Sequence, residues 1–301
     1  MRFASLIHEG RTIVTALDGD RLHDLSGLLP QDRTSTDPMV ELLRVGLPDE
    51  QTAFAQPELP GPPVYAPLVS QPGKVIAAPV NYRDHQEEMQ QIGNVSALGF
   101  FLMSPSSVAP HGGVVRLPYT DRRFDQEGEL ALLIGKDGRD IAPDRIAEHI
   151  AGYTCLIDMT MRGGEDRSTR KSFDTFTPIG PHLVTPDEVG DLGTITLRTW
   201  VNGEIRQDAD IADLIWDVPR FVSYVSSVTK LLAGDVITTG TPAGVGTVAD
   251  GDEVTVTIER VGTLEVSVST VGALPCPTGG AGSGPKPPET LTPVRQRRTT
   301  P

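Results

Sequence analysis

Two glutamates, Glu127 and Glu129, open the apolar run FDQEGELALLIG. Residues two apart in a strand share a face, so both carboxylates point away from Leu130, Leu132 and Ile134. Like charges held side by side need compensation, either from solvent on an exposed face or from a hard cation. The spacing alone leaves both open. A third carboxylate, Asp158, ends the run AGYTCLID, which reads as a buried strand emerging at that residue. Three carboxylates at strand ends could make an all-oxygen site. That donor set suits Mg²⁺ or Mn²⁺, with water and substrate completing it. Taken singly, Asp158 equally suits a cap on the following loop.

A second pair lies in NYRDHQEEM. His85 and Glu88 are three apart, hence neighbours on one face of a helix. A carboxylate beside a histidine orients the ring and raises its basicity, as needed to deprotonate water near neutral pH. A chance pair on a surface helix is the competing reading. Lys171, in TRKSFDTFTPIGP, could meet an anionic oxygen or be an ordinary surface lysine. The loop TTGTPAGVG matches no nucleotide-binding pattern, but Thr241 and its backbone N–H groups could face a carboxylate. His8, His23, His111, His149 and His182 fall in no comparable motif.

The elements that must position these groups read as β-rich. Val254, Val256 and Ile258 alternate, as do Leu264, Val266 and Val268 after a turn at Val261-Gly262. Asn202-Gly203 marks a hairpin within residues 195–206. Further strands are expected at Arg2–Ile7, Thr12–Leu17, 74–80, 128–135 and Asp235–Thr239. Helices are expected near Pro38–Leu47 and from Tyr82 to about Gln91. A third should begin at Pro219 and end at Gly234, burying Phe221, Val225, Val228 and Leu232. Without a regular βαβ rhythm, the fold class is α+β. Residues 1–70 are expected to form a small N-terminal α/β domain ending in a proline-rich connector, and 71–272 the main domain. Residues 273–301, rich in Pro, Gly and Thr, are expected to be disordered.

Composition narrows the partners. Lys plus Arg total 26 and Asp plus Glu 40, a net charge of −14 that disfavours nucleic acid and anionic membranes. No apolar run is long enough to span a bilayer, and the N-terminus lacks a signal-peptide pattern. With only two cysteines, the chain reads as a reduced, cytoplasmic protein.

Taken together, NYRDHxEE, FLMSPSS, ExE before an apolar strand, GYTxxxD, KSFDTFTPIGP, VNGEIRQ and GDVITTGTPAGVG resemble the fumarylacetoacetate hydrolase family. The resemblance runs from about Lys74 to Val268 and rests on the order of all seven motifs. It implies a rolled mixed-sheet core, usually in a homodimer, acting on 2-oxo acids with Mg²⁺ or Mn²⁺. It further implies Glu127, Glu129 and Asp158 as metal ligands and His85 and Glu88 as a water-activating dyad on a mobile lid. Lys171 would stabilise negative charge, and Arg162 and Thr241 would contact the substrate carboxylate. The implied reaction is C–C hydrolysis of an acylpyruvate-like substrate. Oxaloacetate decarboxylation, and isomerisation or hydration of unsaturated 2-oxo diacids, would use the same site, and a purely ligand-binding member is the remaining alternative. The chain departs from the family's pattern at Pro79, at Met103 and in GGEDRSTR, which adds Arg167 and Arg170. These departures bear on substrate identity more than on the metal.

Overall fold

The computed structural model describes residues 1–288. Its largest sheet runs Glu58–Leu59, Arg21–Asp24, Arg11–Asp18, Arg2–His8, Thr177–Val184, Ile150–Ile157, Gly128–Ile134, Val236–Thr238, Val75–Ala77, Phe101–Met103. A five-stranded sheet, Glu204–Asp210, Thr196–Val201, Glu253–Ile258, Gly262–Ser269, Val114–Arg116, packs against it. A small third sheet joins Thr160–Met161, Phe124–Gln126 and Gly246–Thr247. Most pairings are antiparallel, but Val236–Thr238 runs parallel to Val75–Ala77, and Gly262–Ser269 to Val114–Arg116. The expected β-rich α+β class with mixed sheets is what forms. The N-terminal segment is continuous with the main sheet, since Arg2 and Phe3 pair with Val184 and Leu183.

The central strand Gly128–Ile134 is buried on both faces. Leu130, Leu132 and Ile134 enter one core, and Ala131 and Leu133 enter a second core on the other side. Burial on both faces turns the alternating pattern of a solvated strand into a nearly continuous apolar run. Gly128 lies where the two large sheets meet, and a Cβ there would fall 2.2 Å from Thr199 Oγ1. The hairpin turns at Asn202 and Gly203, both with positive φ, as a two-residue Asn-Gly loop requires.

Three local expectations are corrected. The helix expected to reach Gly234 spans Val218–Val228, started by the Asp217 side chain, which accepts from Arg220 N–H. Thr229 is extended, and Leu231 exchanges backbone hydrogen bonds with Gly138, so tertiary pairing stops the helix early. Its buried face carries Phe221, Val222 and Val225, while Val228 and Leu232 are exposed. The helix expected from Tyr82 to about Gln91 spans Arg83–Glu88 and is stopped by Gln90, whose φ is positive. Finally, residues 273–288 form no helix or strand, yet they are tied down. Leu274 N–H donates to Pro118 O, Cys276 N–H to Asp121, and Gly164 N–H to Gly280 O. The expectation of disorder for 289–301 lies outside the described residues.

The shortened helix makes a direct test. Phe221→Ala should cost about 3–5 kcal/mol in urea unfolding, because it opens a cavity in the core. Val228→Ala should change stability by no more than about 0.5 kcal/mol. Comparable losses at both positions would restore the longer helix.

Candidate active site

Strand register brings the carboxylates together. Gly128 pairs with Ile157, and the ladder continues one step as Asp158 N–H donates to Glu127 O at 2.8 Å. Asp158 therefore emerges beside Glu127 and Glu129. One oxygen from each carboxylate lies within 4.8 Å of the others, and all three residues are at most 5% exposed. That burial excludes a solvated strand face. It also excludes the loop-cap alternative for Asp158, whose Oδ2 accepts from Lys171 instead.

Buried carboxylates need donors, and the surrounding elements supply them unequally. Lys171 ends the helix Arg167–Lys171 and spends all three ammonium protons, on Glu127 Oε2 (2.8 Å), Asp158 Oδ2 (2.5 Å) and Thr160 Oγ1 (2.6 Å). Arg162 Nη2 donates to Glu127 Oε1 at 2.8 Å, and its Nε to Asp125 Oδ2 at 2.6 Å. Glu129 Oε2 accepts from Gly240 N–H (2.9 Å) and from the Thr238 hydroxyl. Asp158 Oδ1 is buried and accepts nothing, and Glu129 Oε1 has no donor among the described residues.

The imbalance appears in the protonation equilibria. Burial pushes the Glu127 carboxyl up, but Lys171 and Arg162 overcome this and hold it well below the usual range. Burial and the neighbouring Asp158 raise Glu129 well above that range. Burial raises Asp158 to about 6, with Glu127 adding to the rise against the pull of Lys171. One member is satisfied by cations, and two are left short of positive charge.

The lid helix places His85 over this cluster. Its Nδ1 lies 3.1 Å from Glu88 Oε2, and both side chains are buried, so the chance surface pair is excluded. A carboxylate acceptor calls for the ring proton on Nδ1, which in the neutral ring leaves Nε2 as the acceptor. Glu88 Oε1 in turn accepts from Gly244 N–H at 2.9 Å, tying the lid to the 240–246 loop. Gly244 has φ +102°, and a Cβ there would fall 1.8 Å from Arg206 O. Only glycine fits, and that close approach is what aims its N–H at Glu88.

Two expected contacts are already committed elsewhere. Arg162 is held between Asp125 and Glu127, and the Thr241 hydroxyl donates to Gly128 O while accepting from Gln207 Nε2. Both still line the cavity beside the triad, together with His85, Lys171, Arg167 and Arg170. The cavity holds about 40 Å³, room for a few water-sized groups.

Several residues were missed in the sequence. Asp125 is fully buried and anchors both Arg123 (2.7 Å) and Arg162. The pattern Asp125-x-Glu127-x-Glu129 carried that signal, as a third acid on the same strand face. Thr160 and Thr238, each giving or receiving one hydroxyl contact, had no distinguishing spacing. Pro285 reaches the cavity from the segment expected to be disordered. Removing Asp125 tests the arrangement. Asp125→Ala leaves Arg162 buried with half its partners, and urea unfolding should report a loss of about 3 kcal/mol. A loss below about 1 kcal/mol would mean that water already screens the pair.

Comparisons with known proteins agree with this geometry. Residues 74–269 match the model of the fumarylacetoacetate hydrolase C-terminal domain. The chain is 44% identical over 214 residues to a maleylpyruvate hydrolase of Aquipseudomonas alcaligenes, covering 67% of this chain and 75% of that protein. It is 35% identical over 214 residues to an oxaloacetate tautomerase of Bacillus subtilis, covering 67% and 71%. The fold superimposes on the crystal structure of maleylpyruvate hydrolase from Sphingobium sp. SYK-6 in complex with manganese(II) and pyruvate. That match has a TM-score of 0.78 at 34% identity and covers 90% of this chain and 99% of that one. With its family model spanning 74–269 and the ordered motifs now placed around one buried cavity, the chain belongs to the fumarylacetoacetate hydrolase family.

Proposed function

We propose that this chain is a Mg²⁺- or Mn²⁺-dependent enzyme that hydrolyses a C–C bond in an acylpyruvate-like 2-oxo acid. The observation that carries the reading is the buried triad, in which Asp158 Oδ1 has no donor among the described residues and the only donors to Glu129 there, Thr238 and Gly240, meet its Oε2. Asp158 Oδ1 and Glu129 Oε1, together with a remaining lone pair on Glu127, form a hard, all-oxygen donor set suited to such a cation. The Sphingobium structure with manganese(II) and pyruvate supports the same assignment. The bound cation would supply Lewis-acid stabilisation for negative charge developing on the 2-oxo group.

The remaining steps belong to the chain's own side chains. His85, oriented by Glu88, takes a proton from water at Nε2. That water adds to the distal carbonyl carbon, and the C–C bonding pair passes to the 2-oxo half. Protonation then gives pyruvate, and the acyl half leaves as a carboxylic acid. Lys171, its three protons held by Glu127, Asp158 and Thr160, contributes its positive charge to the field in which negative charge develops. Arg162 holds Glu127 in place, and Thr241 contributes to the wall around the substrate carboxylate.

A second reading has its own support, the resemblance to the Bacillus subtilis oxaloacetate tautomerase. Tautomerisation or decarboxylation of a 2-oxo diacid needs the cation but no attacking water. The reading also carries a cytoplasmic homodimer. Cys155 and Cys276 are unpaired, in keeping with a reducing compartment, and no described helix is long and apolar enough to cross a membrane. Light scattering on the purified chain would give the mass of a dimer if that part is right.

Two measurements test the main proposal. Mn²⁺ should raise Tm and EDTA should reverse the rise, because a ligand that binds only the folded state stabilises it. Acetylpyruvate should yield pyruvate and acetate, and His85→Ala should slow this at least about 100-fold. Turnover of oxaloacetate that survives His85→Ala, with no acetylpyruvate cleavage by the parent chain, would favour the second reading. Neither a thermal shift nor turnover on any 2-oxo acid would leave only a ligand-binding protein.

A further inference from the structure

The chain runs on past the family's domain. The matched region stops at residue 269, and residues 274–285 continue as a mostly exposed segment beside the cavity. Its anchors fall on two stretches, 118–122 and 164–165. Leu274 N–H donates to Pro118 O, and Leu274 O accepts from Thr120 N–H. Cys276 N–H donates to Asp121 Oδ1 at 2.8 Å. Arg122 Nη2 donates to the carbonyl and the hydroxyl of Thr278, both at 2.7 Å, and to Glu165 Oε1 at 2.9 Å. The Thr278 hydroxyl donates to the same Glu165 oxygen, and Gly164 N–H donates to Gly280 O at 3.0 Å.

The two stretches are the ends of one ribbon. Phe124–Gln126 pairs with Thr160–Met161, and Arg162 N–H donates to Arg123 O. Beyond that bond the two chains part, one back toward Pro118 and the other on to the helix Arg167–Lys171. Residues 274–280 bridge the parting. Their composition suits the task. Pro275 and Pro277 restrict the free chain, which lowers the entropy lost on seating it. Gly280 and Gly284 let the segment lie close. A Cβ on Gly280 would meet the Glu165 carboxylate, and one on Gly284 would be driven into the Gly163 carbonyl oxygen. Further along the same segment, Pro285 lines the cavity.

We propose that residues 274–285 are a strap that positions one wall of the cavity. Seated on Arg122 and Glu165, the strap fixes the turn at residues 163–165 and sets Pro285 beside the organic ligand. Thr278, Gly280 and Gly284 are then positioning residues. The inference rests on the 2-oxo acid reading above, and it adds a wall that the family's domain does not supply. The triad stays where strand register puts it, so the strap acts on the organic ligand and not on the cation.

Amide exchange and calorimetry on the full chain test this. Thr278→Val removes the hydroxyl shared by Arg122 and Glu165, and Gly284→Ala forces a side chain against Gly163. Each variant should speed exchange of the Gly164 amide at least about tenfold, because its acceptor on Gly280 is released. Each should weaken pyruvate binding to the Mn²⁺-loaded protein about fivefold, the scale of one lost hydrogen bond. Mn²⁺ affinity should stay within about twofold, as for sites that share no partner. Thr278→Ser, which keeps the hydroxyl, should restore both parent values. Gly279→Ala, whose Cβ would meet nothing within 4 Å, should match the parent throughout. Faster Gly164 exchange with unchanged pyruvate affinity overturns the proposal, as does Mn²⁺ affinity that falls in step with pyruvate affinity. Unchanged exchange in the double variant Thr278→Val/Gly284→Ala overturns it too, since the strap would then hold nothing. If the parent chain binds Mn²⁺ but not pyruvate, the 2-oxo acid reading falls and takes this one with it. If pyruvate binds parent and variants alike, only the strap is lost.

Discussion

Everything around this site follows from one electrostatic constraint, three carboxylates placed together out of water. At separations near 4.8 Å, each ionised pair repels by roughly 3 kcal/mol at an effective dielectric of about 20. Desolvation adds to that for every member. The chain answers with Lys171, Arg162, the Thr238 hydroxyl and one backbone N–H, and the answer is incomplete. Glu127 is held as a carboxylate, while Glu129 and Asp158 are pushed toward protonation. A cluster serving stability alone would be replaced at no loss by apolar residues of the same volume. Its presence in a tightly packed interior is the physical argument for a cation there.

The sheets exist in the form that makes this cluster possible. Glu127 sits in the one-residue gap between Phe124–Gln126 of the small sheet and Gly128–Ile134 of the large one. The strand therefore changes sheets at the functional residue. Gly128 permits the crossing because it brings no side chain against Thr199. Gln207 of the five-stranded sheet donates to Thr241 and accepts from Gly128 N–H, fastening the crossing from below. The site thus depends on all three sheets, which is why its ligands come from strand ends and not from loops alone.

That dependence explains which parts the sequence disclosed. Glu127, Glu129, Asp158, His85, Glu88 and Lys171 stand in runs whose local period places each side chain, and the structure gathers five of them around one cavity, with Glu88 held against His85. Their mutual approach was not legible, because it is set by the Gly128–Ile157 register between strands distant in the chain. The same limit accounts for the errors. The apolar spacing of Val228 and Leu232 continues a helical face, yet Leu231 finds a better partner in Gly138. Arg162 reads as a substrate contact until Asp125, the first acid of the Asp125-x-Glu127-x-Glu129 run, claims its Nε. The composition of residues 273–288 excludes a core but does not exclude docking on one. Thr278 and Gly280 dock by hydrogen bonds to Glu165 and Gly164.

These facts divide the labour within the cavity. The triad, the lid dyad and Lys171 are fastened to the sheets and to each other, so their geometry constrains the chemistry around a 2-oxo group without choosing the rest of the molecule. Residues 163–170 add Arg167 and Arg170 to the cavity wall, and neither pairs with a carboxylate among the described residues. That wall rests on Glu165, and Glu165 rests on Arg122 and Thr278. A substitution in the C-terminal segment could therefore alter which acid is accepted while leaving the carboxylates where strand register puts them. Conserving the reactive half and varying the wall is the cheaper route to a new substrate, because the wall carries few of the buried contacts that hold the fold.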